Sequence, residues 1–277
     1  MAEPKGALYH AQKMANQWQV YTSPNKPSKS ECQIIEKFIA RHKRPARILI
    51  LGGTPEFRDL AHLQKAEITC VDVSLDMLMA MTKLMKRGKE ANQETWMKAG
   101  WLTMPMAQNY YDFVLGDLVI NNIPIKLQPK FLAKIRDILK PGGYFITRHP
   151  VSIFPKKSIQ EFINLVIKKR FNQTSISEFA FGGLFVVYKM KDGSMSTDGI
   201  SSALKKAWQT EKNMTRKKQI AKLIKIFHQQ WPLGKTWWTL PKEKGEIMFK
   251  KYFKIFSVKY GTDHPFVDQC PIYFLRK

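Results

Sequence analysis

Between residues 45 and 150 the sequence keeps a rhythm that leaves few folds open: short apolar runs alternate with stretches of helical periodicity. Arg47 to Leu51 reads Arg-Ile-Leu-Ile-Leu, as expected of a strand buried on both faces. Glu56 to Lys65 fits a helix, and Glu67 to Val71 fits a second strand. Ser74 is placed to cap a helix carrying Met77, Met81 and Leu84 on one face and stopping at Gly88. Thr95 to Lys98 is a weak third strand and Tyr111 to Leu115 a fourth. Phe131, Leu132, Ile135, Ile138 and Leu139 form a helical stripe ending at Pro141-Gly142-Gly143, and Tyr144 to Arg148 is a fifth strand. Strands alternating with helices predict an α/β fold: a mostly parallel sheet with helices on both faces.

The rhythm fails on either side. Up to Ser30 the chain is polar and reads as a short helix followed by an extended arm around Pro24 and Pro27. Ser30 and Gln33 have capping-box spacing, and Ile34, Ile35, Phe38 and Ile39 then recur at helical intervals. After Pro150, residues 155–245 read as helices and loops rich in lysine and aromatics. Two late strands follow, Phe253 to Tyr260 and Ile272 to Leu275. The expected organisation is an N-terminal arm and helix over 1–44, a core over 45–150, a helical insertion over 151–248, and final core strands over 249–277.

The first strand runs into Leu51-Gly52-Gly53-Thr54-Pro55-Glu56. A glycine turn between strand and helix lets backbone approach a ligand, and ligands of parallel α/β sheets sit beyond the carboxyl ends of the strands. Asp72 ends the second strand 20 residues after Gly52. At that spacing an acidic side chain meets the vicinal hydroxyls of a bound ribose. The other role open to Asp72 is to cap the helix that begins near Ser74.

Four segments in order carry a resemblance: Ile-Leu-Ile-Leu-Gly-Gly-Thr-Pro-Glu, Ile-Thr-Cys-Val-Asp-Val-Ser, Tyr-Asp-Phe-Val-Leu-Gly-Asp and Leu-Lys-Pro-Gly-Gly-Tyr-Phe. Over roughly residues 30 to 150 the chain resembles the class I S-adenosylmethionine-dependent methyltransferases, in a subgroup with Leu-Gly-x-Thr-Pro-Glu at the first turn. Asp268 to Leu275 fits the final strand of that fold. The resemblance implies a Rossmann-like seven-stranded sheet whose last strand is antiparallel, with S-adenosyl-L-methionine across the ends of strands one, two and four. It implies that Gly52, Gly53, Thr54, Pro55 and Glu56 lie near the methionine moiety, and that Asp72 takes the ribose, with Val73 and Met77 beside it. It places Asp117 where the sulfonium and the acceptor meet. Adenine recognition falls to Gly100 and Trp101.

Three positions depart from the family pattern. Ile50 stands where an acidic residue is usual, Glu56 occupies the third glycine position, and Ala99-Gly100 replaces the common Gly-Asp pair. Glu56 either meets the cofactor's ammonium group or favours the N-terminus of its helix. Trp101 either flanks adenine or is a core aromatic. A glutamate in the turn also repels a pyrophosphate at close range. This disfavours a nicotinamide cofactor, whose turn carries G-x-G-x-x-G.

Methyl transfer needs a positioned acceptor and at most a proton acceptor. Asp117, Asn121 and Asn122 follow the fourth strand; Arg148 and His149 end the fifth. Asp117 and His149 are the candidate catalytic groups, although a histidine at a strand end is more often only a polar residue. Asn121-Asn122-Ile123-Pro124 lacks the proline position and the aromatic of the Asn-Pro-Pro-Tyr motif, so nucleobase methylation is not inferred from it. In the insertion, Trp231, Trp237 and Trp238 either line an acceptor pocket or pack the segment onto the sheet.

Composition then separates the acceptor classes. The formal net charge is +24, a field that favours polyanions, and Lys205, Lys206, Lys212, Arg216, Lys217, Lys218, Lys222 and Lys225 form its densest run. That run either tracks phosphates or is the solvated face of a helix. No recognisable RNA-binding module accompanies it. A small-molecule acceptor is therefore the leading expectation, a nucleic acid the second, and a non-catalytic binding protein the third. Cys32, Cys70 and Cys270 are far apart and form no metal-binding pattern; Cys70 reads as a small core residue. No apolar run approaches the roughly 18 residues of a membrane span, and Met1 to Gln12 lacks a signal-peptide core. The expected setting is cytoplasmic. Oligomeric state is not legible.

Overall fold

The computed structural model describes residues 7–43, 45–151, 163–164, 194–230, 234–264 and 266–277. Seven strands form one sheet: β1 (Arg47–Leu51), β2 (Glu67–Asp72), β3 (Thr95–Lys98), β4 (Tyr111–Asp117), β5 (Leu139–Arg148), β8 (Lys254–Lys259) and β9 (Ile272–Arg276). Their spatial order is β3-β2-β1-β4-β5-β9-β8. The first five pair in parallel, and β9 runs antiparallel to both β5 and β8. This is the mostly parallel sheet the rhythm predicts, in the seven-stranded Rossmann-like form the resemblance implies.

Strands β1, β2 and β4 bury both faces, which is why they read as apolar runs, whereas β3 at the sheet edge has exposed ends and only half-buried centre residues. Leu49 and Leu51 of β1 face a layer built on α5 (Gln128–Ile138), through Phe131, Leu132, Ile135 and Ile138. Ile48 and Ile50 face the opposite layer, formed by α2 (Lys29–Ile39), α3 (Pro55–Leu63) and α4 (Leu75–Thr82). Ile50 is a core residue on that side, so the apolar departure from the family pattern has a packing cause. Cys70 is likewise buried in β2.

Several boundaries differ from the sequence reading. Helix α2 is capped by Ser28, not Ser30: the Ser28 hydroxyl accepts from the Glu31 N–H, and the Glu31 carboxylate accepts from the Ser28 N–H. Ser-x-x-Glu outcompetes Ser-x-x-Gln because the carboxylate is the stronger acceptor. Ser30 instead donates to Asp263. Helix α4 stops at Thr82, well short of Gly88. The Asp59 carboxylate takes the N–H groups of Lys86 and Arg87, turning the chain early. Gly88 then packs over the helix end, where a Cβ would lie 2.8 Å from the Thr82 carbonyl oxygen. Pro141-Gly142-Gly143 does not end a helix either. Strand β5 begins at Leu139, directly after α5, and the glycines absorb a register shift within it.

The insertion is not only helix and loop. Two three-residue strands, β6 (Ser194–Ser196) and β7 (Thr236–Trp238), pair antiparallel, too short for alternation to show in the sequence. Between them lie α6 (Thr197–Thr210) and α7 (Met214–Gln230). Leu204, Ile220, Leu223, Phe227 and Trp237 form their shared core. Helix α8 (Lys242–Lys250) returns to the main sheet through Phe249. Helix α1 (Ala7–Val20) packs Ala11 and Ala15 against Ala80 of α4. Among the described residues no helix is long and apolar enough to cross a membrane.

Candidate functional site

A cleft of about 440 Å³ lies beyond the carboxyl ends of β1, β2 and β4, where the connections of a parallel sheet diverge. A larger depression behind α4 is lined by Met79, Lys83, Lys86, Arg87 and Trp96. It lies away from the strand ends and gathers none of the predicted site residues. The cleft at the strand ends gathers Gly52, Thr54, Asp72, Val73, Trp101 and Asp117, together with Asn121 and Asn122.

The glycine turn is a conformational requirement. Gly52 has φ +91°, a backbone state that residues with a Cβ rarely adopt. A Cβ at Gly53 would lie 3.3 Å from the Met81 side chain, so Gly53 serves the approach of α4 and does not line the cleft. Pro55 occupies the first turn of α3, where a missing N–H costs nothing, and is buried behind the lining. Met77 packs toward α1, and the Gly100 carbonyl accepts from the N–H groups of Thr103 and Met104. Neither reaches the cleft lining.

Asp72 supports the start of α4 and also lines the cleft. Its Oδ1 accepts from the Ser74 N–H at 2.9 Å, while Ser74 caps α4 by accepting from Met77 N–H. Its Oδ2 faces Gly52, 3.8 Å from where a Cβ would stand. Burial raises the Asp72 pKa; the Ser74 and Val73 N–H groups and Lys235 act the other way. Trp101 donates its indole N–H to the Val71 carbonyl at 3.1 Å, which fixes its ring against the Gly52 turn.

Glu56 lies in the first turn of α3 and accepts from the Trp18 indole N–H at 3.2 Å. Its Oε2 is buried with no hydrogen-bond partner among the described residues. Burial raises its pKa above the usual carboxylate value. Asp117 is enclosed more completely. Its Oδ1 lies 3.2 Å from Arg148 Nη1 without hydrogen-bond alignment, and Arg148 Nε lies 3.2 Å from Glu31 Oε1. His264 contacts the same Glu31 oxygen at 3.2 Å. Burial outweighs the Arg148 charge and pushes the Asp117 pKa up to about 7, with Glu31 and Glu56 adding to the rise. Asn121 presents a buried Oδ1 with no partner among the described residues.

Arg148 is therefore the hub of a buried ion network and does not line the cleft. His149 lies outside it too. Its ring packs edge-on to Phe249, with centroids 5.5 Å apart, and burial lowers its pKa to about 3. The sequence placed both side chains at the end of β5 and could not tell that they point into packed layers. Among the tryptophans, Trp237 lines the cleft while packing the insertion core, Trp238 does not line it, and Trp231 lies outside the described residues.

Sequence reasoning missed one wall. Met14, Trp18, Tyr21 and Asn25 close the cleft from α1 and the chain after it, and Lys235 enters from the β6–β7 side. Trp18 and Tyr21 stand at helical spacing, the one available signal, but nothing local says which face of α1 docks. Among the described residues, no three His, Cys, Asp or Glu side chains are placed to hold a metal ion.

Residues 51–147 match a family model described as a methyltransferase domain. A curated relative, the ubiquinone/menaquinone biosynthesis C-methyltransferase UbiE of Paracoccus denitrificans (strain Pd 1222), is 30% identical over 96 residues. That alignment covers 34% of this chain and 38% of the relative, so the chain matches well under half the relative's length. Among solved structures, a Rhodobacter sphaeroides protein described as a Zn-dependent alcohol dehydrogenase aligns over 96% of this chain and 98% of its own, at TM-score 0.57 and 14% identity. The Burkholderia thailandensis 1,6-didemethyltoxoflavin-N1-methyltransferase, solved with bound 1,6-didemethyltoxoflavin and S-adenosylhomocysteine, aligns over 100% of this chain and 93% of its own, at TM-score 0.51 and 13% identity. At these identities the likeness is one of fold.

Proposed function

We propose that this chain is a class I S-adenosylmethionine-dependent methyltransferase that methylates a small-molecule acceptor held in the cleft at the strand ends, a reading supported by the match of residues 51–147 to a methyltransferase-domain model. The observation that carries the reading is two carboxylates, Asp72 and Asp117, on one cleft with the Gly52 turn. The cleft suits a ligand that is cationic and rich in hydroxyls. Asp72 Oδ2 is free of the helix cap and accepts from a ribose diol. Asn121 Oδ1 on the cleft wall and Glu56 Oε2, which lies behind Trp18 and not in the lining itself, are buried acceptors without hydrogen-bond partners among the described residues. Glu56 would hold the ammonium group, and the ring of Trp101 would flank adenine.

S-adenosylmethionine supplies an electrophilic methyl group, so the protein's remaining tasks are alignment and, for an N–H or O–H nucleophile, proton removal. Asp117 is the group for that proton: it lines the cleft and titrates near neutrality. The aromatic and amide wall of Trp18, Tyr21, Asn25, Asn121 and Trp237 favours a compact acceptor, and the volume lies in the range of small-ligand sites. The names of the Paracoccus and Burkholderia proteins refer to small molecules and support the same class.

Supplying S-adenosylmethionine with a low-molecular-weight metabolite extract should release S-adenosylhomocysteine, whereas an RNA fraction should not. Release driven only by RNA would reverse the assignment of acceptor class. The transfer rate should rise with pH through about 7 as Asp117 loses its proton. Asp117→Asn should remove that limb and lower the rate about 10²–10⁴-fold. The same pH limb persisting in the variant would place the base elsewhere.

A further inference from the structure

The α6–α7 hairpin has a charge balance for which the cleft has no use. Thr197 to Gln230 holds eight lysines and arginines against two acids, Asp198 and Glu211. Both acids are engaged: Asp198 accepts from the Gly234 N–H at 2.9 Å, and Glu211 pairs with Arg216 at 2.8 Å. Lys205, Lys206, Lys212, Lys218, Lys222 and Lys225 are exposed, while the inner faces of both helices are packed together.

The end of the hairpin is also apolar. Met214, at the start of α7, is 66% exposed, and Trp208, near the end of α6, is 38% exposed. Lys217 Nζ sits 4.8 Å from the centre of the Trp208 ring. A single exposed apolar residue means little. Two flanking the short connection between α6 and α7, in a lysine-rich segment, have the composition of an interfacial anchor. A single-stranded nucleic acid would use the Trp208 face for base stacking. Here one face already carries an ammonium group, and Met214 offers nothing to a phosphate.

We infer that the α6–α7 hairpin docks the protein on an anionic bilayer surface, its lysines among the lipid headgroups and Met214 and Trp208 at their level. Trp237 and Leu118 belong to or pack against the hairpin's core and also line the cleft. Docking therefore sets the cleft beside the membrane.

The test is cosedimentation of the full chain with vesicles of phosphatidylcholine containing phosphatidylglycerol, with pure phosphatidylcholine vesicles as control. Binding should require the anionic lipid and weaken as salt rises. Each lysine near such a surface contributes about fivefold in affinity. The combined change Lys205→Glu, Lys206→Glu, Lys212→Glu and Lys218→Glu should therefore weaken binding more than about a hundredfold. Met214→Asp, at an exposed position, should weaken it while leaving the circular dichroism melt unchanged. Failure of the parent chain to bind anionic vesicles overturns the inference, as does undiminished binding by the lysine variant. Binding of the Met214→Asp chain equal to the parent's rejects insertion of the turn. If single-stranded RNA binds through these lysines and vesicles do not, the surface is a nucleic-acid site and the membrane reading fails.

Discussion

Replacing Glu94 by alanine should lower the unfolding free energy by about 3–5 kcal/mol, read as a shift in the denaturant midpoint. Glu94 and Arg58 form an ion pair whose side chains are both 0% exposed. The Arg58 guanidinium donates to both carboxylate oxygens, to the Leu78 carbonyl at 3.0 Å and to the Thr82 hydroxyl at 2.7 Å. Glu94 also accepts from the Trp96 indole N–H at 2.6 Å and contacts His62 Nε2 at 2.9 Å. Removing the carboxylate strands a buried cation, and that desolvation cost is the source of the effect. The paired change Arg58→Met with Glu94→Leu should cost far less, because neither charge is then left alone. A loss for Glu94→Ala of only a few tenths of a kcal/mol, typical of exposed pairs, would show that the pair is solvated.

The same pair carries a pH signature. Burial opposes ionisation of Glu94, but the hydrogen bonds from Arg58, Trp96 and His62 outweigh it, and the pKa falls below the usual glutamate value. A depressed carboxylate contributes stability that is present in full above its unfolded pKa, about 4.3. That contribution is lost as pH falls through the folded value. Parent and Glu94→Ala chains should therefore differ most near neutrality and converge in acid.

The second large effect is on the cofactor. Asp72→Ala should weaken S-adenosylmethionine binding about a hundredfold or more, since two hydrogen bonds to a charged acceptor contribute about 1.5–3 kcal/mol each. The substitution also removes the acceptor for the Ser74 N–H, so part of any loss could come from a loosened α4. A thermal melt separates the two effects. Affinity lost with the melting temperature nearly unchanged assigns Asp72 to the ribose, whereas unchanged affinity removes it from the site.

What was legible in the sequence follows from how each feature is encoded. Parallel strands buried on both faces must be apolar throughout, so β1, β2, β4 and the end of β5 show themselves locally. The Gly52 turn and Asp72 are legible because a strand end fixes both chain direction and spacing. Features that depend on docking are not. Arg58 and Glu94 are 36 residues apart and meet only when α3 lies against the edge of β2 and β3. Trp18 reaches Glu56 only because Ala11 and Ala15 are small enough to let α1 sit against Ala80. Arg148 and His149 occupy the expected end of β5, yet one is consumed by Asp117 and Glu31 and the other by an aromatic layer. Position along a strand predicts the end of the sheet, not the direction of the side chain.

The central claim is that the cleft at the strand ends receives S-adenosylmethionine. The most direct measurement is a calorimetric titration of the chain with S-adenosylmethionine and, separately, with NAD. The predicted result is saturable binding of S-adenosylmethionine at about one ligand per chain, with no heat from NAD beyond dilution, because Glu56 repels a pyrophosphate in that turn. No binding at about millimolar S-adenosylmethionine, a weakness of roughly −4 kcal/mol or less, would contradict the claim and leave a methyltransferase fold without its cofactor.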